Sequence, residues 1–212
     1  MHRVAIVTAL LLCAPVTGCA GKSHHAAGGN PTPSAPPAAE LAARARTAAS
    51  THTAATYQVV RTDGRPTGQR VTIATTAAGW RLDVSQSGRT TTLASTATGA
   101  YSCQTGRACQ QVARPGQPIP AVVDPFVQEV FVSYPRELAD HVARYDVTAA
   151  GGDGGPAGPA ACYRVDPHPG GTVSAGTYCY TPNGTLTRAA FSSGELRLLE
   201  VAPAPTAITV PN

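Results

Sequence analysis

Between Tyr57 and Val112 apolar and polar residues alternate in short runs, cut at even intervals by glycine-containing pairs. That period excludes an amphipathic helix. Side chains repeating every second residue share a face only when the backbone is extended. The first run starts at Tyr57 and ends near Thr62. Val71 and Ile73 then alternate with Arg70, Thr72 and Ala74, and Trp80, Leu82 and Val84 alternate with Arg81, Asp83 and Ser85. Asp63-Gly64, Ala78-Gly79, Ser87-Gly88 and Thr98-Gly99 supply the turns. Thr90–Ser95, Ala100–Cys103 and Cys109–Val112 continue the pattern, with Gln104–Ala108 closing the last hairpin. The segment reads as one antiparallel meander.

Helical spacing flanks it. Glu40 to about Thr53 carries Leu41, Ala45, Ala48 and Ala49 along one stripe, which predicts a helix. Downstream, Asp124 fits an N-cap and Pro125 a first helical position. Phe126, Val127, Val130, Phe131 and Tyr134 follow as a broad apolar stripe. Pro135 is expected to end or kink this helix, leaving Arg136 to Val142 as a second short one. Arg144–Ala149 predicts a strand and Gly151–Gly158 a flexible loop. Cys162–Val165 and Thr177–Tyr180 are further strands, and Pro182-Asn183-Gly184 turns the chain into Thr185–Phe191. Asn183-Gly184-Thr185 also fits a glycosylation acceptor, but the turn accounts for it. Ser193-Gly194 leads into Glu195–Val201, and Ile208–Val210 in the Pro-rich tail is expected to add an edge strand. Helices together with antiparallel hairpins make this an α+β chain.

The N-terminus is an export segment. A basic Met1-His2-Arg3 precedes an apolar run from Val4 to Ala14, too short to cross the roughly 30 Å hydrocarbon core as a helix. Small residues then lead directly into a cysteine: Val16-Thr17-Gly18-Cys19. That order resembles the bacterial lipobox, with Val16 in place of the usual leucine. The resemblance implies cleavage after residue 18 and a diacylglycerol thioether on Cys19, with palmitate-like chains, making Cys19 the mature N-terminus. Two acyl chains, at about 0.8 kcal/mol per buried methylene, hold a soluble domain on a membrane. The expected location is therefore the extracytoplasmic face of the cell membrane. Residues 19–39, with Gly28-Gly29 and Pro31, Pro33, Pro36 and Pro37, read as a tether, and His24-His25 within it as a solvated pair. Residues 40–212 form a single domain.

Of six cysteines, Cys13 leaves with the signal and Cys19 takes the lipid; Cys103, Cys109, Cys162 and Cys179 remain. Four cysteines in an exported domain imply two disulfides, with three connectivities open. Cys103–Cys109 and Cys162–Cys179 is the pairing preferred here, because each pair flanks a predicted hairpin loop. Neither has the C-x₂-C spacing of a zinc site, so no metal is expected. The net charge of +4 comes without a cluster of basic residues, which argues against nucleic acid as partner. The Ala, Gly, Pro and Arg bias, with Lys22 the sole lysine, is that of a high-GC, actinobacterial-like genome.

The order of elements resembles the lipoprotein-carrier superfamily, periplasmic LolA and LolB and the mycobacterial lipoproteins LppX and LprG. The local echo is Gly79-Trp80-Arg81-Leu82-Asp83, then Gly88, then Thr98-Gly99-Ala100-Tyr101. The chain departs from the carriers in its cysteine pairs and Gly-rich loop. The resemblance implies a curved antiparallel sheet, a half-barrel, with helices packed on its concave face. It further implies a lipid or acylated ligand held between them. Val71, Ile73, Trp80, Leu82 and Val84 on the sheet, and Phe126, Val130, Phe131 and Tyr134 on the helix, would line that site. The same residues admit a second reading, in which the concavity is filled and the domain is an interaction or sensor module of the cell envelope with a protein partner. Trp80, the sole tryptophan, is read as core, with cavity lining the alternative.

No catalytic motif is present: neither G-x-S-x-G, S-x-x-K, H-E-x-x-H nor G-x-x-x-x-G-K occurs. Lys22 lies in the tether, so lysine chemistry within the fold is excluded. Asp166-Pro167-His168 is the most site-like cluster, but no oriented nucleophile accompanies it, and a polar loop suffices. The expectation is a non-enzymatic protein without cofactor. Expressed in a bacterium, the wild type should partition with membranes, and Cys19→Ser should lose its acyl mass; an unacylated wild-type N-terminus in intact-mass analysis would refute the anchor.

Overall fold

A computed structural model of the protein describes residues 35–120, 122–123 and 126–211. Cys19, the export segment, most of the tether and the expected Asp124-Pro125 cap lie outside them. Helix α1 (Pro37–Ser50) opens the described chain, with proline at its first position, where the missing N–H costs nothing. Strands β1 (Ala54–Val60), β2 (Pro66–Thr76), β3 (Gly79–Gln86), β4 (Arg89–Thr96), β5 (Gly99–Gln104) and β6 (Gln110–Ala113) follow as the predicted meander. Helix α2 (Phe126–His141) and a 3₁₀ turn at Val142–Arg144 separate this half from β7 (Tyr145–Gly155), β8 (Gly158–Pro167), β9 (Gly176–Tyr180), β10 (Leu186–Phe191) and β11 (Gly194–Ala202).

All eleven strands form one antiparallel sheet in the order β6-β5-β4-β3-β2-β1-β11-β10-β9-β8-β7. Two meanders are thus joined by one seam between the first strand and the last. Each of β6 and β7 has a single partner, so the sheet is open. The alternation read from the sequence sets the register: Val71 stands opposite Val84, Ile73 opposite Leu82, and Leu82 opposite Leu93. One face of the sheet and both helices contribute to a common apolar cluster containing Leu41, Tyr57, Ile73, Leu82, Val130, Leu138, Tyr178 and Leu196.

Three expectations are corrected. Pro135 does not divide the central helix; α2 runs through it to His141. Pro135 has no N–H for the Phe131 carbonyl, a loss of about 3 kcal/mol or more in a helix interior. The buried stripe continues past it from Val130 and Tyr134 to Leu138, and that burial on both sides outweighs the break. The Gly151–Gly158 loop is instead the tip of a hairpin, Gly152 pairing with Ala161 and Gly155 with Gly158. The register shifts between Ala149 and Gly152, and Gly151 sits there at φ +87°, a left-handed conformation that favours glycine. Residues 208–210 are not an edge strand. The tail runs from β11 toward β3: Arg81 Nη1 donates to the Thr209 carbonyl at 3.2 Å, and Pro211 lies against Cys109.

The structure joins Cys103 to Cys109 and Cys162 to Cys179, the pairs preferred from the sequence. Cys162 and Cys179 face each other directly across β8 and β9, with Cα atoms 4.0 Å apart. They form a small cluster with Ala160, separate from the main core that holds their neighbours Tyr163 and Tyr178. Among the described residues no helix is long and apolar enough to cross a membrane.

Gly184, in the β9–β10 turn, has φ +81° and lies under the end of α1. A Cβ there would stand 2.8 Å from both the Ala48 Cα and the Thr47 carbonyl carbon. Gly184→Ala therefore combines backbone strain with a backbone clash, and the expected loss is about 1–3 kcal/mol or more in denaturant titration. An unchanged midpoint would show that α1 does not rest on this turn.

Candidate ligand-binding site

The sequence placed a ligand between α2 and the sheet. Val71 and Ile73 on β2, Leu82 on β3, and Val130 and Tyr134 on α2 are brought together there, each 2% exposed or less. Trp80, Val84 and Phe131 are half-buried against the same cluster. Phe126 begins α2, and its side chain lies outside the described residues. The proposed lining thus converges, and its side chains largely fill the space between them. One internal space of about 50 Å³ remains, bounded by Tyr57, Ile73, Val130, Phe131, Pro135 and Tyr180. A second space, of about 110 Å³ and open to the surface, lies between Val59, Gln69, Val127, Val130, Phe191, Ser193 and Leu196. Pockets that enclose a drug-sized ligand span about 300–1,000 Å³.

What fills the interior is tyrosine. The Tyr57 and Phe131 rings lie 4.8 Å apart, and Tyr178 stands edge-on to both Tyr134 at 6.3 Å and Phe191 at 5.7 Å. Of these phenols only Tyr134 was singled out from the sequence as a lining residue, although Thr177-Tyr178-Cys179-Tyr180 carries a strand signal that puts both tyrosines on one face and Cys179 on the other. Tyr57 donates to the Leu186 carbonyl at 2.8 Å, and Tyr178 to the Ser174 carbonyl at 2.6 Å. Tyr145 donates to Glu137 and accepts the Thr172 and Val173 amides. The buried Tyr180 hydroxyl has no hydrogen-bond partner among the described residues. Burial pushes the ionisation of Tyr57, Tyr178 and Tyr180 far above the ordinary phenol range, so they are neutral at any physiological pH.

Over this interior, Arg44 of α1 reaches the Tyr180 carbonyl at 2.9 Å and Glu40 at 2.8 Å. The hydrogen bond from Arg44 holds the Glu40 carboxyl below its usual range. Burial, with help from Glu40, pushes the neighbouring Tyr163 phenol up to about 12.

The Asp166-Pro167-His168 cluster does not converge. His168 Nε2 lies 3.1 Å from Asp146, and Asp166 is held by Arg164 at 2.9 Å, with all four side chains well exposed. These are surface ion pairs. Among the described residues no group of three His, Cys, Asp or Glu could hold a metal ion.

A larger cleft opens at the rim, where the end of α1, the middle of α2 and the β2–β3 turn meet. It measures about 370 Å³ and is lined in part by His52, Trp80, Ser95, Phe131, Val132 and Arg136.

No family model and no curated protein matches the chain. Solved structures that resemble it include the Pseudomonas aeruginosa MucA/MucB complex, at 16% identity and a TM-score of 0.47. That likeness covers 81% of this chain and 59% of the other, so the chain spans less than two thirds of its length.

Two tyrosines test how the interior is held. Tyr57→Phe strands the Leu186 carbonyl and should cost about 1–3 kcal/mol, whereas Tyr180→Phe removes a hydroxyl bound to no protein group and should be neutral or stabilising. Equal losses in chemical denaturation would mean that both hydroxyls are equally satisfied.

Proposed function

We propose that this chain is a membrane-tethered, extracytoplasmic, non-enzymatic binding module whose interior is filled, an interaction or sensor domain and not a carrier of long acyl chains. The observation that carries this reading is the space of about 50 Å³ between α2 and the sheet. An acyl chain of a dozen methylenes needs several times that volume, and side chains at native packing density do not yield it without moving α2. In this reading the sheet is a half-barrel, the helices plug its concave face, and the plug belongs to the fold. Tethering is supported by the lipobox-like Val16-Thr17-Gly18-Cys19 and the Pro/Gly-rich segment after it. The non-enzymatic reading is supported by the dispersal of Asp166 and His168 into separate ion pairs.

Val130, wholly buried and bordering both spaces beside α2, decides between the two readings. In a filled core Val130→Trp overpacks and should cost about 1–3 kcal/mol, lowering the melting temperature by several degrees. Native mass spectrometry of the wild type purified from its host should show no acyl-bearing adduct. A stoichiometric lipid in the wild type, lost in Val130→Trp with the melting temperature kept, would overturn the filled-core reading and restore a carrier.

A further inference from the structure

Among the described residues, the rim cleft brings aromatic surface and a free positive charge together in one sizeable space. Trp80 and Phe131 are half-buried with their inner sides in the core, so each presents part of its ring surface to the cleft. Arg136 lies one turn beyond Val132 on the same side of α2 and is exposed. It makes no hydrogen bond or ion pair among the described residues, unlike Arg44, Arg81, Arg144, Arg164, Arg188 and Arg197, each held by a carboxylate. His52, just past α1, and Ser95 of β4 add polar donors. No carboxylate lines the cleft. Of the acids near Arg136 in sequence, Glu137 is engaged by Arg144 and Tyr145, and Asp140 is exposed outside the lining.

We propose that this cleft binds a small amphipathic anion: a ring- or chain-sized apolar body seated on Trp80 and Phe131, with its carboxylate, phosphate or sulfonate on Arg136. The inference rests on the binding-module reading and gives it a ligand class. At about 370 Å³ the cleft falls within the range of small-molecule sites. Arg136 offers the planar fork that matches such anions, uncontested by a neighbouring carboxylate. Phe131 is also the wall shared with the smaller internal space, so occupancy of the cleft bears directly on the packing of α2.

Trp80, as the sole tryptophan, reports on its own site. Full-length protein carrying Cys19→Ser, and so without acyl chains, is titrated with 8-anilinonaphthalene-1-sulfonate and with N-phenyl-1-naphthylamine, the same aromatic frame without the sulfonate, against a buffer-and-detergent blank. The sulfonate probe should quench Trp80 saturably. Arg136→Gln, at an exposed side chain, should weaken it about tenfold while leaving the neutral probe within about twofold. Octanoate and octyl phosphate should displace the sulfonate probe, their ranking separating carboxylate from phosphate sources, and octanol should not. Absence of quenching, equal loss of both probes in Arg136→Gln, or displacement by octanol to the same degree would overturn the proposal. Any of these results leaves the filled core standing, because that reading is judged on Val130 and on lipid adducts.

Discussion

The fold depends on the pairing of β1 with β11. Every other strand pair in the sheet joins neighbours in sequence; this one joins the two ends of the chain, Ala54 opposite Ala202 and Val60 opposite Glu195. Without it there are two separate meanders, each with an extra bare edge and half a core. With it, Tyr57 of β1 reaches the Leu186 carbonyl of β10, and Leu196 and Leu198 of β11 join Val71 and Ile73 of β2 in one cluster. Closing so long a loop adds little entropic cost beyond that of a shorter one, but it delays the core until distant segments meet.

Helix α1 shows how a weakly apolar element is retained on that sheet. Its buried side chains are Leu41, Ala42 and Ala45, too small to hold it by hydrophobic area alone. Small side chains instead allow a close approach, and polar contacts fix the position: Arg44 on the Tyr180 carbonyl, Arg46 on the Ala139 carbonyl of α2, and Gly184 beneath the last turn. The Glu40–Arg44 pair itself is partly exposed and adds little net stability. What Glu40 contributes is the orientation of a guanidinium whose other arm ties the helix to β9.

The period-two alternation was legible because β2 and β3 turn one face to the core, Val71, Ile73 and Leu82 being buried while the residues between them are not. The disulfides were legible for another reason, since Cys103 and Cys109, like Cys162 and Cys179, flank the loop of a hairpin. Three features were not. Pro135 is a local helix breaker overruled by burial of Tyr134 and Leu138 on either side. The glycines of β7 have little strand propensity of their own and are extended because β8 supplies a paired partner. The seam between β1 and β11 leaves no local trace at all. At the candidate site, the sequence identified which side chains converge but not how much room is left, because volume depends on the tyrosines of β9 and the depth at which α2 settles. Arg136 and His52 were not picked out as site residues for the opposite reason: as isolated polar side chains they resemble solvated surface until the β2–β3 turn is placed beside them.

Occupied surfaces narrow where a ligand can be met. The inner face of β3 is closed by the core, with Leu82 wholly buried. Its outer face is only partly covered: Asp83 accepts from both Arg81 and Thr92, and the tail docks on Arg81 through Thr209, leaving a cleft of about 500 Å³ between Arg81, Thr92, Cys103, Arg107 and Pro211 with no aromatic side chain in its lining. A half-buried tryptophan at the end of such a strand is then neither wholly core nor surface. It sits where the covering on both faces runs out, against a helix whose next turn carries an arginine without a counter-ion. The packing of the interior and the aromatic, cationic character of the rim are thus one arrangement: because α2 is seated with Val130 and Tyr134 buried against the sheet, Phe131 and Arg136 are held beside Trp80 at the edge.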